Sequence, residues 1–241
     1  MTQPVHETVS SPRSLSSYDY SWATSRVTSD VPDDAQPPLP RIIEPETLPP
    51  APAPGGESLV PISHRKIRVL STYWHAGWSS ARPEALARSG VVERLCAVAE
   101  ALPDGFGLAV FDAWRPLRLQ REIYEAAYAD PNLPPGFVSV PSTDPVLSPP
   151  HLTGGTIDVT LTWKGTPLQL GTTFDDFSSA AATDALESTP SRERELRRLL
   201  FWTMYSKGFV VVDCEWWHFE YGTRRWAALT GTSPIYGAAT I

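Results

Sequence analysis

The sequence predicts an α+β fold preceded by a proline-rich extension. Two observations carry this. Stretches of alternating polar and apolar residues, the strand period, are interspersed with stretches of i, i+3, i+4 apolar spacing, the helix period. They follow no regular βαβ alternation and no internal repeat, which argues against a doubly wound sheet. A chain of 241 residues with 41% hydrophobic residues and nine Trp suits one ordinary domain with a tail.

The extension is residues 1–57. It holds eleven of the 25 Pro with many Ser and Thr, so it reads as extended or partly docked on the body. Pro37-Pro-Leu-Pro40 and Pro49-Pro-Ala-Pro-Ala-Pro54 have the composition of SH3-type ligands, although a linker or wrap is the simpler reading. The domain proper is 58–241. Lys66–Leu70 alternates as a strand, and Tyr73-Trp-His-Ala-Gly-Trp78 follows as an aromatic loop in which His75 is a surface or packed histidine.

Ser89 is positioned to cap a helix whose face is Val92, Leu95, Cys96, Ala99 and Leu102, ended by Pro103-Asp-Gly105. Gly107–Phe111 is a buried strand. Pro116 then opens a helix with Leu119, Ile123 and Ala127 inward. A proline-rich loop, 131–150, leads to Thr156–Thr162, a strand with Ile157, Val159 and Leu161 on one face and Asp158 on the other. Gly171–Phe177 is a loop with two acids. Thr189 and Pro190 start a helix carrying Leu196, Leu199, Leu200 and Met204, closed by Gly208. Phe209–Val212 is the last strand before Glu215-Trp-Trp-His-Phe-Glu-Tyr221.

Net charge is −7, which argues against nucleic acid and anionic membrane as partners. The excess is local: residues 1–60 hold eight acids and three bases, leaving nineteen and seventeen in the nearly neutral body. Cys96 and Cys214 make neither a disulfide framework nor a Cys-based metal site. Without a signal-peptide pattern or an apolar run of ~20 residues, the expectation is a soluble, cytoplasmic protein. Oligomeric state is left open.

Two motifs carry the chemistry. Ser148-Pro-Pro-His-Leu-Thr-Gly-Gly-Thr-Ile-Asp158 supplies an imidazole and a carboxylate around a Gly-Gly pair that lets the backbone fold back. Glu215-Trp-Trp-His218 supplies a second imidazole with a carboxylate three residues before it. His151, Asp158 and His218 are the ligand types of a catalytic zinc with one open position, and Glu215 is a candidate general base. Residues three apart on an ideal strand face opposite sides, so Glu215 and His218 share a site only if the backbone bends between them. Arg115, leaving a strand after Asp112 and before Pro116, reads equally as an oxyanion binder or as half of a structural Asp112–Arg115 pair.

Phe111-Asp-Ala-Trp-Arg-Pro116, the 148–161 segment, Leu170-Gly-Thr-Thr-Phe-Asp175 and Glu215-Trp-Trp-His218 together resemble the zinc D-alanyl-D-alanine dipeptidases, the dipeptidase branch of a metallopeptidase family that also contains D,D-carboxypeptidases. The resemblance covers roughly 58–240. It implies a small central antiparallel sheet flanked by helices, with one catalytic zinc, held by His151, Asp158 and His218, at one end. It implies Glu215 as general base, Arg115 as oxyanion binder and Asp175 as the anion for a dipeptide ammonium. It suggests Tyr73 as part of the substrate pocket. The family often has Ser two residues before its first His ligand. Here that position is Pro149, and Ser148, one residue further away, is the candidate for the polar substrate contact that the family Ser makes. The implied activity is zinc-dependent hydrolysis of D-alanyl-D-alanine in cell-wall (peptidoglycan) metabolism. The rivals are a dipeptidase of specialised metabolism, a D,D-carboxypeptidase on wall peptides, and a non-catalytic zinc-binding module.

Overall fold

The fold is built on one eight-residue strand, Thr156–Trp163, buried along almost its whole length in the computed structural model, which describes Leu15 and residues 18–32, 34–131, 133 and 136–241. Named in chain order, the strands are β1 Ser25–Arg26, β2 Leu59–Pro61, β3 Ile67–Val69, β4 Leu86–Arg88, β5 Phe106–Asp112, β6 Thr156–Trp163, β7 Thr166–Gln169, β8 Val210–Val211 and β9 His218–Glu220. The α-helices are α1 Thr72–His75, α2 Ser89–Ala101, α3 Leu117–Ala127, α4 Arg192–Ser206 and α5 Arg224–Thr230. No helix among the described residues is long and apolar enough to cross a membrane.

The main sheet runs β1-β7-β6-β5-β3, and β9 joins β6 and carries β8. Pairing is antiparallel at the centre, β5 to β6 and β6 to β7 and β9, while the flanking pairs β3–β5 and β1–β7 are parallel. The sheet is therefore mixed, not wholly antiparallel. A separate two-stranded sheet joins β2 and β4. Strand β6 is long enough for β7 to cover its C-terminal half and β9 its N-terminal half on the same edge. Both faces of β6 are buried. Ile157, Val159 and Leu161 face the apolar core, and Thr156, Asp158 and Thr160 are equally inaccessible opposite them.

The β5–β6 register shifts between Val110 and Asp112, so a bulge at the end of β5 brings Asp112 opposite Asp158. Bulges re-aim side chains where a ladder ends, and this one lies at the functional end of the sheet. Against the sheet pack α2 and α4. The buried face of α2 is Val91, Leu95, Val98, Ala99 and Leu102, rotated from the expected stripe so that Val92 and Cys96 are only half-buried. Leu196, Leu199, Leu200 and Met204 of α4 are buried as the spacing predicts.

Helix starts differ from expectation. Ser89 is the first residue of α2 and caps nothing; the Glu57 carboxylate, distant in sequence, instead accepts the Gly90 N–H at 2.6 Å. Ser191, not Thr189, caps α4, accepting from Arg194 N–H at 3.1 Å. The aromatic stretch after β3 is a single helical turn, α1, with Tyr73 and Trp78 buried and Trp74 and His75 exposed. The last strands are shorter than expected, β8 comprising only Val210–Val211.

The first fourteen residues of the proline-rich extension lie outside the described residues. Further along, the chain lies on the body: the Pro37 carbonyl accepts from Trp202 Nε1 at 2.8 Å and the Pro49 carbonyl from Arg224 Nε at 2.7 Å.

Candidate metal centre and catalytic cavity

Three adjacent strands converge on the site. His151 opens a short turn, His151–Thr153, that Gly154 terminates in the left-handed region at φ 75°. Gly155 then passes so close to the Tyr221 carbonyl that a Cβ would lie 2.5 Å from it. A side chain fits at neither position without strain, and the pair delivers the chain into β6 five residues after His151. Asp158 follows on β6, paired with His218 on β9. Glu215 reaches the same place by a turn, because the His218 N–H donates to the Glu215 carbonyl at 3.2 Å. That turn is the bend the Glu215–His218 spacing requires, and it leaves Glu215 Oε2 3.5 Å from His218 Nδ1.

His151, Asp158 and His218 are all buried, with their ligand atoms within 4.8 Å of one another. Each imidazole is held from behind. His151 Nδ1 donates to the Ala113 carbonyl at 2.7 Å, and His218 Nε2 donates to Glu220 Oε1 at 3.1 Å. Glu220 in turn accepts from Thr223 Oγ1 and from Arg225 Nε. With the far nitrogens protonated, lone pairs on His151 Nε2 and His218 Nδ1 face Asp158 at 3.3 and 3.2 Å. Asp158 Oδ1 is buried without a hydrogen-bond partner. Three lone-pair donors facing one point call for a cation between them, and far-side bonds of this kind orient metal-ligating histidines. The donor set therefore fits a divalent metal.

The charges of the trio are strongly linked. Burial alone would raise the Asp158 pKa, but His151 and His218 outweigh it and hold the carboxyl below its usual range. Burial opposes the charged form of His218, yet its bonds to Asp158 and Glu220 raise its pKa well above the usual histidine value. For Glu215, burial is the largest influence and raises the pKa, with Asp158 adding to it against His218.

Arg115 lies beside this trio, and its pair with Asp112 is formed. Nε donates to Asp112 Oδ2 at 2.9 Å, Nη1 to Gln120 Oε1 at 2.9 Å and Nη2 to the Tyr73 hydroxyl at 3.3 Å, while Nη2 stands 3.8 Å from Asp158 Oδ2. Burial disfavours its charge, but Tyr73, Asp112, Asp158 and Asp175 together raise its pKa. Asp175, at φ 55°, accepts from the Tyr73 hydroxyl at 2.9 Å. Burial, reinforced by Glu215, pushes its carboxyl up to about 8 despite Arg115. Its loop is clamped by Arg197 of α4, which donates to the carbonyls of Leu170, Ala180 and Ala182 at 2.7, 2.9 and 2.7 Å.

Tyr73, Arg115, His151, Asp158, Asp175, Glu215 and His218 thus line one cavity of about 70 Å³. That is room for roughly five water-sized groups. Ser148 is the exception. It lines a larger neighbouring cavity of about 650 Å³ that shares Val138, Ser139 and Pro150 with the first. Its hydroxyl is buried without a partner. Sequence reasoning missed Gln120, which steadies Arg115 and donates to the Ser139 carbonyl at 2.7 Å, and Glu220, which orients His218. Glu220, two residues past His218, carried a signal: residues two apart on a strand share a face.

Residues 84–230 match the family model of the Peptidase M15 family, described as D-Ala-D-Ala dipeptidase. A D-alanyl-D-alanine dipeptidase of Synechocystis sp. is 28% identical over 209 residues, covering 71% of this chain and 85% of the relative. A D-alanyl-D-alanine dipeptidase of Escherichia coli is 32% identical over 117 residues, covering 48% of this chain and 55% of the relative. Among solved structures, the vancomycin-resistance D,D-dipeptidase VanXYg aligns with a TM-score of 0.41 at 20% identity, covering 80% of this chain and 67% of that one. The model match spans more than half of the sequence and takes in every residue of the His-Asp-His trio, and the chain belongs to the D-Ala-D-Ala dipeptidase family of metallopeptidases.

Proposed function

We propose that the protein hydrolyses D-alanyl-D-alanine, or a closely similar small dipeptide, with one zinc ion held by His151 Nε2, Asp158 and His218 Nδ1. The observation that carries this is the gathering of that trio, a carboxylate, a guanidinium and a second, separate carboxylate in one small cavity. Zinc at such a site polarises a carbonyl and lowers the pKa of water.

The chain's own residues do the rest. Glu215 removes a proton from the attacking water as its oxygen bonds to the amide carbon. It then delivers that proton to the leaving nitrogen as the C–N bond breaks. A raised carboxyl pKa suits a group that must both take and return a proton. The Arg115 guanidinium, aligned by Asp112 and Gln120, stabilises the charge that develops on the carbonyl oxygen. Asp175 binds the substrate ammonium, and Tyr73 holds Asp175 in place. A carboxyl at this corner, ionised when the substrate ammonium lies against it, suits a dipeptidase, whose substrate has a free amino terminus, better than a carboxypeptidase acting on longer wall peptides. A non-catalytic zinc module has no need of Glu215 or Arg115.

Glu215→Gln tests the assignment of the base. Its kcat should fall by roughly 10²–10⁴-fold with zinc bound stoichiometrically. Full turnover with normal zinc content would refute it.

A further inference from the structure

Tyr20 lies in the proline-rich extension, far from the catalytic motifs in sequence, yet it touches both supports of Asp175. We propose that Tyr20 is a positioning residue of the ammonium-binding corner, bracing Tyr73 and Phe174 from behind; this rests on Asp175 holding the substrate ammonium.

Asp175 depends on two neighbours. One is Tyr73, whose hydroxyl donates to it; the other is Phe174, the preceding residue in a loop that holds Asp175 at positive φ. Few non-glycine residues adopt that backbone without packing to enforce it. The Tyr20 ring meets Tyr73 edge-on at 5.9 Å and Phe174 edge-on at 5.5 Å. Its hydroxyl accepts from Trp78 Nε1 at 3.0 Å, and Trp78 also packs edge-on against Tyr73 at 5.9 Å. Phe174 is stacked on Phe111 at 4.7 Å, so Tyr20 closes a cluster otherwise supplied by the catalytic body. Tyr20, Tyr73, Trp78, Phe111 and Phe174 are all buried.

The segment is fixed at several other points. Tyr18 stacks on Trp78 at 4.1 Å, Ser25 and Arg26 pair with β7, Trp163 Nε1 donates to Asp30 at 3.1 Å, and Arg192 donates to the Val31 carbonyl. Both Tyr20 and Tyr73 precede the residues matched by the family model, which begin at position 84. The extension thus supplies part of the site's shape from outside the matched region.

The test uses the full-length, zinc-loaded protein with D-Ala-D-Ala and with N-propionyl-D-alanine, the same molecule lacking the ammonium. Tyr20→Ala removes the ring. It should raise KM for D-Ala-D-Ala by about ten- to a hundredfold, the scale of effect expected when a positioned group is slightly misplaced. It should change kcat far less and leave kcat/KM for the propionyl analogue unaltered. Tyr20→Phe keeps the ring but leaves the buried Trp78 N–H without an acceptor, so Tm should fall while KM holds. Asp30→Ala loosens the same segment at its other end and should also hold KM. If Tyr20→Ala does not fold, Tyr20→Leu replaces it with the same expectation. An unchanged KM in the ring-less variant, with Asp175→Asn raising KM, would overturn the proposal while leaving the role of Asp175 intact. An unchanged KM in Asp175→Asn would remove the assignment of Asp175 itself, and the proposal with it.

Discussion

Asp158 and His218 stand directly opposite one another across the β6–β9 ladder, with Asp158 Oδ1 3.2 Å from His218 Nδ1. Two of the three candidate ligand groups are thus fixed by strand register rather than by loops, and side chains on rigid elements hold a coordination geometry more closely. Everything around the pair steadies it: Glu220 behind His218, Arg115 beside Asp158, and the Gly154-Gly155 turn that delivers β6.

Glu220 gives the first prediction. Its carboxylate accepts from His218, Thr223 and Arg225, and an amide there must turn its N–H₂ towards one of those donors. Glu220→Gln should weaken zinc binding about 10- to 100-fold, read by competition with a chromophoric chelator. Unchanged affinity would mean that the ring of His218 is held by packing alone.

Arg115 gives the second. Lysine keeps the charge but cannot bond Asp112, Gln120 and Tyr73 from one planar group. Arg115→Lys should lower kcat about 10²–10³-fold, or roughly 3–4 kcal/mol of transition-state stabilisation, with zinc content unchanged. A loss of Tm at full kcat would make the Asp112–Arg115 pair purely structural.

Asp175 gives the third, through pH. Its folded pKa of about 8 lies above the ordinary 3.8. Between those values the native state holds a proton that the unfolded chain has released, so this group's contribution to stability falls as pH rises from about 4 to 8. Asparagine has no such dependence. In metal-free protein, the Tm of Asp175→Asn relative to the parent should therefore climb between pH 5 and pH 8.5, even as KM for the dipeptide worsens in the zinc enzyme. A Tm difference independent of pH would show that Asp175 is ionised throughout that range.

The first two members of the His-Asp-His trio were legible because their pattern is local: an imidazole, a tight glycine turn and a strand carboxylate lie within eight residues. Periodicity found β6, α3 and the inner face of α4 for the same reason. What escaped depends on residues distant in sequence. Glu57 takes the cap expected of Ser89, Arg197 clamps the Asp175 loop from α4, and Tyr20 packs on Phe174. The α2 face was misjudged because Val91 and Val92 are equally apolar and only packing selects between them. Ser148 is separated from His151 by Pro149 and Pro150 and lines the neighbouring cavity.

The most direct measurement is release of free D-alanine by the zinc-loaded protein from D-Ala-D-Ala and, in parallel, from N-acetyl-D-Ala-D-Ala. A dipeptidase whose ammonium site is Asp175 should cleave the free dipeptide and leave the blocked one intact. Efficient cleavage of the blocked substrate would contradict that account and point to a carboxypeptidase; no cleavage of either, with zinc bound, would contradict D-Ala-D-Ala hydrolysis itself.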